Sequence, residues 1–97
     1  AQALARRMNE GGGSAEEKIQ RGVRISLGRP AQGKETKRLK ALFDTVKAVY
    51  DAEPEEARKM ATVPLGDAPS GSDMGELAAL TVVGNVLLNL DEMLMKR

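Results

Sequence analysis

Between Lys34 and Ala52, apolar residues return every three or four positions: Leu39, Leu42, Phe43, Val46, Val49 and Tyr50. That period is helical, and on a helical wheel they fill one arc of about 120°, a single buried face. Lys37, Lys40, Asp44, Lys47 and Asp51 fall opposite. A shorter helix is predicted from about Ala15 to Leu27, with Ile19, Val23 and Leu27 as its stripe. Ser14 and Glu17 supply a capping box at its start, and Gly28 and Pro30 stop it. Pro54 suits the first turn of another short helix, about 54–60, with Glu55 and Glu56 on its positive end and Ala57 and Met60 to dock it.

The most hydrophobic element comes last. Leu77–Leu90, LAALTVVGNVLLNL, runs fourteen residues without a formal charge, between Glu76 and Asp91, inside a predicted helix from about Met74 to Met95. Asp73 or Ser72 caps it, with Asp73 and Glu76 in capping-box spacing. Fourteen residues cover about 21 Å, short of a hydrocarbon core of about 30 Å, so the segment is predicted to be a core helix and no membrane span. Thr81, Asn85, Asn89, Glu92 and Lys96 form a narrow polar stripe on it. Leu80, Val82, Val83, Val86, Leu87, Leu88, Leu90 and Leu94 cover most of the remaining circumference. Such a helix needs neighbours on at least two sides. Leu39–Tyr50 offers one good face and Ile19–Leu27 a weaker one. Apolar surface on 77–90 is therefore expected to be left over for another polypeptide, either the rest of a larger parent chain or a second copy.

The remaining segments are weaker in pattern. Ala1–Asn9 is rich in helix formers, but only Leu4 and Met8 share a face, so it is expected to fray or lean on a neighbour. Gly11-Gly12-Gly13 reads as a flexible joint. Residues 61–73, with Pro64, Gly66, Pro69 and Gly71, read as a loop whose tip is Ser70-Gly71-Ser72. No strand alternation is sustained. The expected architecture is all-α, a small bundle of four or five helices around a central apolar C-terminal helix. A short N-terminal helix (1–10) and a glycine linker (11–13) precede the helical domain (14–97).

Composition narrows the chemistry. The 97 residues contain no cysteine and no histidine, and aromatics are only 2% (Phe43 and Tyr50). Thiolate–imidazole metal sites, haem attachment through CxxCH and histidine-based triads are thereby excluded within this chain. The five methionines read as adaptable packing rather than haem ligands. No catalytic, cofactor-binding or metal-binding residue is assigned, and the chain is not expected to be an enzyme.

Net charge is +1, but it is unevenly spread. Residues 18–40 hold Lys18, Arg21, Arg24, Arg29, Lys34, Lys37, Arg38 and Lys40 against Glu35 alone, while residues 41–95 hold three basic and ten acidic side chains. Either the halves pack with complementary fields, or the basic stretch contacts an anion through Lys34, Lys37, Arg38 and Lys40. Nucleic acid is disfavoured by the lack of interleaved aromatics and of a recognition helix. Asp91 points into the apolar arc of its helix and wants a cation, for which Arg29 or Arg24 is the candidate. A paired-carboxylate mechanism would need an acid across a cleft, and Glu92 stands about 100° away on the same helix. Leu80, Val83, Leu87, Leu94, Asp91 and Arg29 are the candidate structural or interaction residues. Ala1–Glu10, with Arg6 and Arg7 and no apolar run, does not read as a signal peptide, and the chain is expected to be a processed or partial product.

Taken in order, LGRP at Leu27–Pro30, RLKALFDTV at Arg38–Val46, the Pro/Gly loop and ELAALTVVGNVLLNLDE at Glu76–Glu92 form a recognisable series. Over residues 15–97 it resembles the C-terminal part of the planctomycete cytochrome-c-associated domain of unknown function. The resemblance implies a piece of a larger exported protein, periplasmic or otherwise extracytoplasmic, working beside a c-type cytochrome. It carries over no catalytic residue and no cofactor.

Overall fold

Five helices form, each started or stopped by chemistry visible in the sequence. In the computed structural model, which describes residues 2–63, 65–66 and 73–95 with side chains through Leu90, they are α1 (Gln2–Asn9), α2 (Ala15–Leu27), α3 (Gly33–Asp51), α4 (Pro54–Thr62) and α5 (Met74–Met95). Ser14 and Glu17 close the predicted capping box on α2: the Glu17 N–H donates to Ser14 Oγ at 3.1 Å and the Ser14 N–H to Glu17 Oε1 at 3.0 Å. Gly28, left-handed at φ 71°, ends the helix by donating its N–H to the Arg24 carbonyl. Pro54 sits at the first turn of α4. Half of the expected box forms on α5, where Asp73 Oδ1 accepts from the Glu76 N–H at 3.1 Å. The Glu76 carboxylate is used elsewhere. The loop tip Ser70-Gly71-Ser72 lies outside the described residues.

The fold is a ring around a post. Helix α5 touches each of the other four, which touch one another in cyclic order: α1 with α2, α2 with α3, α3 with α4, and α4 back to α1. Helix α5 keeps α1 from α3 and α2 from α4. Between Leu77 and Leu87 it is buried on most sides, with Leu77, Leu80, Val83 and Leu87 at 2% exposure or less and Asn85 exposed. Ala78 and Ala79, fully buried, keep it thin where neighbours approach on every side. The outer helices contribute Leu4, Ala5 and Met8 (α1), Ile19 and Val23 (α2), Leu39 and Phe43 (α3), and Ala57 and Ala61 (α4).

Three sequence expectations change here, and one is decided between its alternatives. The cover for α5 is larger than expected, because α1 and α4 join α2 and α3. What remains uncovered is near its far end, where Leu88 and Leu90 are 39% and 40% exposed. Of the two expectations for α1, leaning on a neighbour is the one that holds: Leu4, Ala5 and Met8 lie in the same core as the rest. Met8 needs a socket, and α2 supplies it at Gly22, where an added Cβ would come within 2.6 Å of Met8 Cε. On α3, Thr36, Leu39 and Phe43 are buried and Val46 partly so, but Val49 is 58% exposed. The buried part of that face is the first half of α3; Val49 sits in its last turn, beside Lys47 and Asp51. On α4 the docking pair is Ala57 and Ala61, four apart, whereas Met60 lies to one side and is half-buried.

Lys18 is the largest departure. Its side chain is only 9% exposed, and Nζ reaches Glu76 Oε1 at 2.6 Å, tying the first turn of α2 to that of α5. Lys47, bound to Asp51 at 2.7 Å and 3.7 Å from Asp73, ties the end of α3 to the same place. The two partners of the Lys18–Glu76 pair are not equivalent, since Glu76 is 26% exposed and stays partly hydrated. Removing the acid strands a buried ammonium, whereas removing the base leaves a carboxylate near water on a helix N-terminus. Glu76→Ala is therefore expected to destabilise the chain by about 1–3 kcal/mol, and Lys18→Met to change it by less than about 1 kcal/mol. Urea denaturation of the two variants checks the asymmetry; equal losses would contradict it.

Candidate functional site

The ring closes least tightly between α1 and α4, and it does so through polar side chains. The last turn of α4 exposes carbonyls that have no intrahelical partner. Gln2 and Arg6, four apart on α1, supply those partners. Gln2 Nε2 donates to the Met60 carbonyl at 2.7 Å and also to that of Val63, while Gln2 Oε1 accepts from the Leu65 N–H at 3.0 Å. Arg6 Nη2 donates to the Ala61 carbonyl at 3.3 Å and to that of Gly66.

Under this seam an open groove of about 430 Å³ is lined by Gln2, Ala3, Met60, Val63, Leu65, Thr81 and Asn85. Its floor is the polar stripe of α5. Thr81 is buried and donates its hydroxyl back to the Leu77 carbonyl at 2.9 Å, so it asks nothing of its surroundings. Asn85 is exposed. At about 100° per residue, Leu88 falls within about 60° of both and extends the same face by an apolar residue. The rim carries Val63 at 61% exposure and Leu65 at 47%.

The basic stretch is mostly spent on structure. Besides Lys18, Arg21 donates to the Met8 carbonyl at 2.5 Å, holding the end of α1. Arg29 forms a two-pronged pair with Glu35, both bonds at 2.7 Å, and Lys40 pairs with Asp44 at 2.7 Å. Of the candidate anion contacts, Lys34, Lys37 and Arg38 are exposed and form no ion pair among the described residues; the same holds for Arg24. Arg29 is thus paired with Glu35. The side chains of Asp91 and Leu94 lie outside the described residues. Leu80, Val83 and Leu87 are core, closed to any partner while the fold is intact. Among the described residues no group of His, Cys, Asp or Glu could hold a metal ion, and no helix is long and apolar enough to cross a membrane.

The groove escaped sequence reasoning because its walls lie about sixty residues apart. The signal available was Gln2 and Arg6 on one face of a helix otherwise short of contacts. Neither residue type by itself marks a helix C-cap at such a distance.

The Arg29–Glu35 pair has a measurable consequence. The Arg29 guanidinium first, and then the Gln32 N–H, hold the Glu35 carboxyl at about 2, against an ordinary 4.5. A carboxyl whose folded-state value is depressed stabilises the fold above its unfolded value and loses that contribution as pH falls toward the folded one. Thermal stability is expected to fall between pH 4.5 and about 2, and Glu35→Gln to flatten part of that fall. Melting curves across this range for the two proteins are the check. Curves of the same shape would remove the assignment.

Compared with models of known protein families, with curated proteins and with solved structures, the chain matches none. The resemblance of residues 15–97 to the planctomycete cytochrome-c-associated domain accordingly stands on its motifs alone.

Proposed function

We propose that this chain is a non-catalytic helical packing and interaction module of a larger exported polypeptide, making its contact along the α1–α4 seam. The carrying observation is the set of exposed apolar side chains there: Val63 and Leu65 on the rim beside half-buried Met60, with exposed Leu88 further along the same face of α5. Isolated exposed apolar residues are ordinary, but several on one groove mark a contact surface. The floor helps, because Asn85 offers an amide to a partner's backbone without disturbing the core. The motif resemblance supplies the setting, an extracytoplasmic assembly that includes a c-type cytochrome, and nothing in the reading requires a redox group in this chain.

Sizing chromatography with light scattering on the 97-residue chain is the test. Association that rises with concentration, or binding of a hydrophobic dye, is expected. Val63→Glu combined with Leu65→Glu is expected to suppress it without altering helix content, since both side chains are exposed. A monomer that binds no dye at any concentration would overturn the reading.

A second reading draws on a separate observation, that Arg24, Lys34, Lys37 and Arg38 are exposed and form no ion pair among the described residues. These cations suit a polyanion, nucleic acid or acidic polysaccharide. Binding would then be steeply salt-dependent and strong at about 50 mM salt. Lys37→Glu with Arg38→Glu should abolish it; no binding at low salt would remove this reading.

A further inference from the structure

Helix α1 is held in a different way from the other four. It has eight residues, too few to persist as a helix alone in water. It is joined to α2 through Gly11, Gly12 and Gly13, all exposed and all in the left-handed region, at φ 81°, 68° and 101°. Three apolar side chains, Leu4, Ala5 and Met8, stand against the ordering of that helix and its glycines. Its contacts at both ends are polar. At the hinge, Arg21 grips the Met8 carbonyl; at the far end, Gln2 and Arg6 cap the carbonyls of α4. All these carbonyls can be hydrated instead, so breaking the polar contacts leaves nothing stranded. Beneath the seam α5 presents Thr81, buried but satisfied by its own helix, and exposed Asn85, so opening there leaves no polar group of α5 without a partner.

We propose that α1 is a releasable strap: it leaves α2, α4 and α5 as one unit, turning at Gly11–Gly13, while α2 to α5 stay folded. Release merges the α1 seat with the α1–α4 groove into one helix-wide slot over α5, whose occupant in the closed state is α1 itself. The slot would open whether or not the seam also binds a partner. Met8 is the strap's anchor: fully buried, seated at Gly22, and reached by solvent only when the strap is open.

The chain contains no cysteine, so single thiols report on opening without interference. Ala5→Cys places a thiol under the strap and Ala79→Cys one in the post; both positions are fully buried. In the full-length chain, Ala5→Cys is expected to react with a thiol reagent at least about tenfold faster than Ala79→Cys. Its rate should change little at low urea, because a local opening exposes little surface, while that of Ala79→Cys should climb. Adding Gln2→Ala, which removes three hydrogen bonds between α1 and the end of α4, should speed labelling at Ala5→Cys at least about fivefold and leave Ala79→Cys unchanged. In the otherwise unaltered chain, peroxide oxidation of Met8, followed by mass spectrometry, should show the same insensitivity to urea. Equal rates with parallel urea dependence at both thiols, or an equal effect of Gln2→Ala on both, would overturn the proposal. So would labelling of Ala5→Cys that slows as protein concentration rises, since α1 would then sit on a second copy.

Discussion

A helix with fourteen successive uncharged residues, Leu77–Leu90, has to be covered on most of its sides, and that requirement organises the molecule. Apart from the narrow line of Thr81 and Asn85, helix α5 cannot turn a flank between Leu77 and Leu87 to water without exposing leucine, valine or alanine. Each outer helix offers only a stripe of two or three apolar side chains, and a stripe covers one flank. Four such stripes cover it in the closed fold. The dependence runs both ways, because helices of two or three turns are marginal in water without a tertiary partner. With Phe43 the only fully aromatic-hydrocarbon side chain in the core, the close fit is made by aliphatic residues and by the small ones, Ala57, Ala61, Ala78 and Ala79.

Charge then decides how the ring is fixed on its post. The first turn of α5 receives Lys18 from α2 through Glu76, and Lys47 from α3 through Asp73. These acids also suit the positive end of the α5 dipole, so one set of carboxylates serves two purposes. The uneven charge along the sequence is resolved mostly in this local way. Lys18–Glu76 is the contact that joins the basic stretch to the distant acidic half. Arg29 and Lys40 find acids only six and four residues away. The basic residues left over, Arg24, Lys34, Lys37 and Arg38, are consequently fewer than composition suggests.

Much of the fold was legible because helix ends are local chemistry. Ser14 with Glu17, Gly28, Pro54 and Asp73 place boundaries that the structure keeps to within one or two residues. What stayed illegible depends on separation along the chain. Lys18 reads as a surface residue on any wheel of α2, and only the Glu76 carboxylate, fifty-eight residues away, makes its burial tolerable. Helix α1 reads as marginal because its periodicity counts two contacts, while its real support comes from a missing Cβ at Gly22 and from carbonyls on α4. Val49 shows the converse error. It has the right period, but α3 has already passed the part of the core that could receive it. For the candidate site, the polar stripe at Thr81 and Asn85 was visible as a pattern. That the ring would part above it was not.

The coincidence of that stripe with the α1–α4 seam is what separates stability from function in this molecule. Everywhere else around α5, a change that loosens the ring uncovers fully buried leucine or valine. At the seam it uncovers Thr81, already satisfied by the Leu77 carbonyl, and Asn85, already in water. A partner lying in the groove therefore draws on interactions the core does not need, whereas a movement of α1 also withdraws Leu4, Ala5 and Met8. Val63, Leu65 and Leu88 supply apolar area for such a contact, and none of the three is counted on to hold α5 in place. The post requires cover on all flanks, but along one of them the required cover is only a narrow polar line, and it is there that the molecule has surface to spare.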